Sequence, residues 1–544
     1  MKFHYSKENL KPREAHLQRM LEILPGASSW GVLLGLIFLS IFFPFSAAIL
    51  IVAFYLSWIM RVLYSTFFLV LSYLQMNIES KTDWMSRIEG IDDLRAYLKE
   101  ISSKKLGQLY PAISHKIHLD QLNTLLKSKS HPPESKDIYH LVIFPVIKEG
   151  RDILEPAIDA ISRQHFHLKQ MVIVFALEER ALPPVQKAVH DLVDKYKNTF
   201  FDCFAVVHPA IVPGEARVKG ANATCAAKEA AAFFQKHHIP FDHVIISCFD
   251  ADTVVSPNYF ACLTYHFMIC PDRQRASFQP IPVYHNNIWN VPGFARVVET
   301  GSSFYQLIEA TNPEKLVTFS SHSMSFKALV DVDYWPVDMI SDDSAIFWKA
   351  YIHYDGKYQV IPMYVTLSMD VACADNWWQT VKSVYKQKQR WAWGVENFPI
   401  VMRAFLKSKR IPVYDRLRLG FKLYEGHLSW ATSGFILSLI GWLPVIFARQ
   451  EFAASVVYYN VPEIANTIFA LGFVAIGITI LLSLNLLPKT KIRYRWLLKI
   501  GHAFEWMMVP FILVIFSALP ALHAQTRLML GKYLEFWVTD KHRK

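Results

Sequence analysis

A chain of 544 residues is too long for one ordinary domain, and 52% hydrophobic residues with a mean hydropathy of +0.19 is high for a soluble enzyme. The net charge of +11 comes without a basic helix or zinc-finger spacing, so no nucleic-acid partner is expected; membrane flanks and an anionic substrate explain it better. All six cysteines (Cys203, Cys225, Cys248, Cys262, Cys270, Cys373) lie mid-chain without a C-x-x-C pair, which suits a reducing cytosol and gives no sign of a disulfide framework or thiolate metal site.

From the N-terminus, residues 1–22 read as a polar cytosolic segment carrying Lys2, Lys7, Lys11, Arg13 and Arg19. Residues 23–60 and, beyond Arg61, 62–78 contain no Asp, Glu, Lys or Arg. A membrane-crossing helix needs about 20 apolar residues, so 23–78 holds two, with Pro44 as the turn. The stretch is too long, and lies too far from the start, for a cleaved signal peptide. Two crossings return the chain to the cytosol. Residues 79–136 are charged and helix-like, a linker or collar.

The pattern changes in 137–409. Short apolar strands are expected at Tyr139–Val146, Met171–Ala176, Phe201–His208 and His243–Phe249, separated by helices at Arg151–Gln164, Pro184–Lys197 and Gly220–Lys236. Such alternation predicts an α/β domain with a mainly parallel sheet covered on both faces. Ligands in such domains bind beyond the carboxyl ends of the strands. There the fourth strand is followed by Asp250-Ala251-Asp252, two carboxylates able to share one hard cation, Mg²⁺ or Mn²⁺. Asp342-Asp343 precedes a helical run; it reads either as a helix cap or as a pair in which one carboxyl serves as a general base. Gln387, Arg390 and Trp391 share one face of the helical stretch Trp377–Val395, where Arg390 suits a diphosphate and Trp391 a sugar ring. A membrane-surface helix is the plainer reading of that stretch. The 21 histidines show no ligand spacing, and no H-E-x-x-H, Walker loop or G-x-S-x-G elbow is present.

Residues 410–425 are basic and amphipathic, an expected interfacial helix. Three further uncharged runs, 426–448, 464–488 and 506–526, give three membrane helices within 426–526. The loop 449–463, with Arg449 its one basic residue, fits the outside. The next loop (Lys489, Lys491, Arg493, Arg495, Lys499) fits the inside. The basic tail 527–544 breaks the charge rule if 506–526 crosses fully; Pro510 and Pro520 leave bending or re-entry open.

An acid after the first strand, D-x-D, an acidic pair and Q-x-x-R-W, in that order and between membrane helices, resemble the family 2 glycosyltransferases over roughly residues 137–400. Cellulose, hyaluronan and chitin synthases are similar in layout. The resemblance implies a GT-A, Rossmann-like nucleotide-diphospho-sugar fold and inverting transfer from a UDP- or GDP-sugar. It implies that Asp250 contacts the donor, that Asp252 with Asp250 holds the metal, and that Asp343 is the base. Asp342 stands where relatives often have Glu. Gln387, Arg390 and Trp391 would hold the donor diphosphate and acceptor sugar, and Lys219 and Asn222 would lie near the nucleotide. Glu149 fits the acidic position after the first strand. Glu178 or Glu179 would replace the aspartates that relatives carry after the second. The segment Thr318–Met324 is unlike the synthases' acceptor segment. The expectation is therefore a multi-pass protein, its catalytic domain cytosolic at the cell membrane, in contact with membrane lipids and making polysaccharide. A lipid acceptor is the alternative, and a catalytically silent binding protein of the same fold the more distant one. A transporter is disfavoured, since the membrane segments lack paired charges or matched repeats.

Overall fold

The computed structural model describes residues 3, 10–103, 109–128, 130–447, 456–488, 495–537 and 539. Lys2, Lys7, Arg449, Lys489, Lys491, Arg493, Lys541, Arg543 and Lys544, on which part of the charge reading rests, lie outside the described residues.

Helix α1 (Pro12–Phe42) and α2 (Pro44–Glu79) break at Phe43. Pro44 pushes its predecessor out of the helical region, and Phe43 has φ −135° and ψ 60°. Helix α1 opens at Pro12, inside the segment expected to be a polar extension. Lys407 pairs with Glu14, and Arg19 with Glu22 at 3.0 Å, so the charged turns of α1 find partners. Helices α3 (Trp84–Asp92), α4 (Leu94–Ser102) and α5 (Leu109–Ser128) then lead to the sheet domain.

There β1 (Tyr139–Val146), α6 (Arg151–Ser162), β2 (Met171–Glu178), α7 (Pro183–Tyr196), β3 (Asp202–His208), α8 (Lys219–Lys236) and β4 (Val244–Cys248) alternate as their apolar runs dictate. Next come β5 (Val254–Val255), α9 (Tyr259–Ile269), β6 (Ala276–Val283), α10 (Gly293–Ala310), β7 (Ser323–Ser325), α11 (Phe326–Asp331), α12 (Asp342–His353), β8 (Gln359–Ser368), α13 (Trp377–Ala392) and α14 (Asn397–Lys407). The eight strands form one sheet in the order β3-β2-β1-β4-β7-β6-β8-β5. Strands β1 to β4 pair in parallel, as do β6 and β8, while β7 and β5 run antiparallel to their neighbours. Four of these strands are not legible in the sequence. Strand β7 is Ser-Met-Ser, without an apolar run, and β6 contains Pro280 and Pro282, which ordinarily argue against a strand. The β6–β8 register shifts between Gln279 and Ile281, beside those prolines.

Alternate residues of β1 face two cores. Val142, Phe144 and Val146 pack with α6, α7 and α9, and Leu141 and Ile143 with the alanines of α8 and with α12. Burial on both faces explains the unbroken apolar runs, and it holds the carboxyl ends of β1, β2 and β4 along one rigid edge.

Residues 410–425 do not form a separate helix: α15 (Val413–Ser438) runs straight into the third apolar segment and is followed by α16 (Leu443–Ile446). Helix α17 (Val456–Leu486) lies parallel to α2. Its first half packs near Ile51, Tyr55 and Ile59, and its second near Leu69 and Met76. Then α18 (Arg495–Glu505), α19 (Val509–Ile512) and α20 (Leu519–Met529) follow on from one another. Among the described residues four helical stretches are long and apolar enough to cross a membrane: Pro12–Phe42, Pro44–Glu79, Glu463–Leu486 and Leu497–Met529. The pair Val413–Ser438 and Ile440–Ile446, bent by 49°, is a fifth candidate.

Candidate active site

The carboxyl ends of β1, β2 and β4 lead into loops that converge with the start of α8 and α12. The centre of the cluster is Lys219, the first residue of α8. Its ammonium donates to Asp250 Oδ1 at 2.8 Å and to both oxygens of Asp343, at 3.0 and 3.3 Å. D-x-D and the acidic pair thus meet on one cation. Burial by itself would push Lys219 down, but Asp250 and Asp343 outweigh it and hold the ammonium well above its ordinary 10.5. Asp342 is buried, and burial together with the charge of Asp343 pushes its carboxyl well above the ordinary 3.8. The two adjacent acids therefore differ in surroundings: Asp342 is buried, while Asp343 is ion-paired with Lys219.

The floor is the segment Thr318–His322, which sequence reading singled out only for being unlike the synthases. The Ser320 hydroxyl donates to Asp250 Oδ2 at 2.5 Å, and the Thr318 hydroxyl donates to the Asp343 carbonyl at 2.6 Å. Ser321 adopts φ 60°, a costly conformation for a residue with a side chain. There its Oγ accepts the Asp250 amide at 3.1 Å and bonds Thr253 at 2.8 Å. His322 is buried with Nδ1 4.0 Å from Asp343; burial lowers its pKa against the pull of that carboxylate.

Asp252 is fully buried, and its Oδ2 accepts the amide of Asp370, itself buried, at 2.7 Å. Asp252 and Asp370 are thus buried next to each other, and the Asp252 carboxylate offers the oxygen donor chemistry that a hard divalent cation takes. The remaining expected residues are placed as follows. Glu149 caps the loop after β1, accepting the amides of Ile147 and Lys148 at 2.9 and 3.0 Å. Glu178 is buried at the end of β2, paired with Arg180 at 3.2 Å and facing His208 at 3.6 Å. Glu179 accepts the Ala210 amide at 2.8 Å. Asn222 donates to the Ala176 carbonyl at 2.7 Å and so ties α8 to β2.

Gln387, Arg390 and Trp391 all lie on α13. Trp391 meets Phe319 edge-on at 5.4 Å, so Q-x-x-R-W abuts the same floor segment. Lys388 lies 3.6 Å over the Trp391 ring and donates to Glu299 at 3.0 Å, fixing α13 on α10. Just beyond, Glu396 is a residue that sequence reading missed. It accepts the Ser341 amide and hydroxyl at 2.8 and 2.7 Å and the Trp393 indole N–H at 2.8 Å. It therefore clamps the turn that carries Asp342 and Asp343. The C-terminal segment was missed too: the Phe536 ring lies 5.3 Å from the Arg390 guanidinium, and Trp537 lies 5.1 Å from Lys386 and 5.8 Å from Lys148. No signal short of the fold brings those aromatic residues to α13.

These features define an α/β domain with an acid–lysine cluster at the carboxyl edge of its parallel strands, framed by apolar helices. Residues 245–522, just over half of the chain, match the model of glycosyl transferase family group 2. The chain belongs to that family. It is 29% identical over 181 residues to the poly-beta-1,6-N-acetyl-D-glucosamine synthase of Staphylococcus aureus (strain COL), covering 32% of this chain and 40% of the relative. The enzyme of the same name from Staphylococcus epidermidis is 26% identical over 176 residues, 31% of this chain and 39% of the relative. The chain thus matches less than half the length of these relatives. Among solved structures, the Pyrobaculum calidifontis mannosyltransferase PcManGT, in complex with GDP-Man and Mn²⁺, aligns with 82% of this chain and all of its own at 13% identity and TM-score 0.39. S. aureus TarS 1–349 with UDP aligns with 74% of this chain and 95% of its own at 11% identity and TM-score 0.35.

Proposed function

We propose that this protein is an inverting glycosyltransferase that moves a sugar from a UDP- or GDP-sugar to a saccharide acceptor at a membrane, in polysaccharide synthesis. The observation that carries the reading is the Lys219 bridge. It joins Asp250 to Asp343, 124 residues further on than Lys219, at the edge of the sheet where ligands of such domains bind. Family membership supports transfer of a sugar, and the staphylococcal relatives' names make an N-acetylglucosamine donor the first to test.

In this reading Asp343 takes the proton of the acceptor hydroxyl. The acceptor oxygen forms its bond to the anomeric carbon as the bond from that carbon to the diphosphate breaks, and the nucleoside diphosphate leaves with the electron pair. Lys219 orients Asp343 and Asp250 relative to each other, and Arg390 would offset charge growing on the leaving group. Trp391 and Gln387 line the acceptor side, and Asn222, Glu149 and Glu178 shape the loops around the nucleotide. Asp252 and Asp250 would hold Mg²⁺ or Mn²⁺, which when bound supplies positive charge for the diphosphate.

Full-length protein in lipid, supplied with labelled UDP- and GDP-sugars and either metal, tests the reading. Metal-dependent release of nucleoside diphosphate with label in a long saccharide is expected. Label in lipid would move the acceptor to the alternative class. Absence of both turnover and donor binding would favour a silent binding protein.

A further inference from the structure

Away from the sheet edge, the last residue of α2 meets α9. Cys262 and His266 stand four residues apart, on one face of that helix, and Glu79 approaches them from the end of α2. One ligand atom from each lies within 4.8 Å of the other two, and all three side chains are buried. Among the described residues this is the one group of three histidine, cysteine or carboxylate side chains so arranged. His266 Nε2 and Glu79 Oε2 are 4.0 Å apart. That is too long for a hydrogen bond, yet within reach of two ligands that each stand ~2.0–2.2 Å from one shared ion. Two buried polar atoms here have no hydrogen-bond partner: His266 Nε2 and the indole Nε1 of Trp84, whose ring lies 5.8 Å from that of His266. Buried polar atoms are rarely left so. Glu79 is already oriented from outside, accepting the Gln75 amide on one oxygen and the Tyr364 amide on the other, both at 3.0 Å. Such outer hydrogen bonds commonly aim a metal ligand.

The geometry points to a zinc site formed by Glu79, Cys262 and His266, separate from the donor's Mg²⁺ or Mn²⁺, that fastens the end of α2 to the sheet domain. Thiolate, imidazole and carboxylate together suit zinc rather than the hard cations. Binding releases one proton from the Cys262 thiol, so that Zn²⁺ is balanced by one thiolate and one carboxylate. A water in the fourth position would accept the Trp84 N–H. The site escapes sequence reading because only the fold brings Glu79 to a C-x-x-x-H pair far along the chain.

The test is metal analysis of the full-length protein purified in detergent without chelator from zinc-supplemented cells. About one zinc per chain is expected, retained in Asp252→Asn and lost in His266→Gln and Cys262→Ser. Reloading with Co²⁺ should give a thiolate-to-cobalt absorption band that His266→Gln weakens. If a variant does not fold, the cobalt spectrum of the unaltered protein decides. No zinc with no such band, or full zinc in a folded His266→Gln protein, would overturn the site. Neither result depends on sugar transfer.

Discussion

Lys219 keeps about a tenth of its side chain exposed, so its charge exists there only because Asp250 and Asp343 face it. Sequence reading could point to each of the three, since each lies beside a motif, but not to their meeting. Ser320 and Glu396 were out of reach for a different reason. Their importance lies wholly in what they touch, and Glu396 touches Ser341 across 55 residues of chain. Burial pushes the Glu396 carboxyl from 4.5 up to about 7, against three donated hydrogen bonds that favour the charged form. The folded chain thus holds this proton more tightly than the unfolded one. The stability it contributes is full below pH 4.5 and is lost as pH rises through about 7. Glu396→Gln should remove that dependence. Between pH 5 and 8 its thermal midpoint in detergent is expected to gain on the unaltered protein by the equivalent of about 1–3 kcal/mol. Parallel midpoints for the two proteins across this range would refute the assignment.

Helix α8 shows how an element sets the site. Its alanines pack beneath β1 and β2, and its first turn passes so close to the acidic turn that Gly220 is required. A Cβ there would stand 2.5 Å from the Pro336 carbonyl and 3.1 Å from Asp342 Cβ. Gly220→Ala should therefore push α8 from α12, cost roughly 1–3 kcal/mol as overpacking does, and weaken transfer by opening the Lys219 bridge. Calorimetry and turnover check this; an unperturbed variant would mean the contact is slack. The elements of the first half were legible because parallel, doubly buried strands leave continuous apolar runs. The second half was not, because β6 is broken by prolines, β7 is three residues long, and the role of each depends on strands already in place. The interfacial helix expected at 410–425 failed as a separate unit because nothing in its sequence ends it before Ser438.

At the scale of the whole molecule, the first and last described long helices, α1 and α20, meet. Arg19 of α1 donates to the carbonyls of Leu528 and Met529, and Ser29 donates to Gln525 at 2.7 Å. The other end of the last helical stretch also touches the sheet domain: Glu505 pairs with Arg296, and Phe516 stacks on Phe294 at 5.0 Å. With one end of this stretch on α1 and the other on the sheet domain, we propose that it bends back rather than crossing fully, the alternative that the prolines left open. In a Cys225→Ser background, Lys532→Cys should react with a membrane-impermeant thiol reagent from the same face as Lys187→Cys in α7. Labelling from opposite faces would mean a full final crossing. The most direct measurement of the whole reading is the comparison of Asp343→Asn with the unaltered protein in lipid, following donor binding and sugar transfer separately. A missing general base should leave binding of the nucleotide-sugar within a few-fold while transfer falls by about 10²–10⁴-fold. Transfer at the unaltered rate in a folded Asp343→Asn protein would show that this carboxylate, and the acid–lysine cluster built around it, is not where the sugar is transferred.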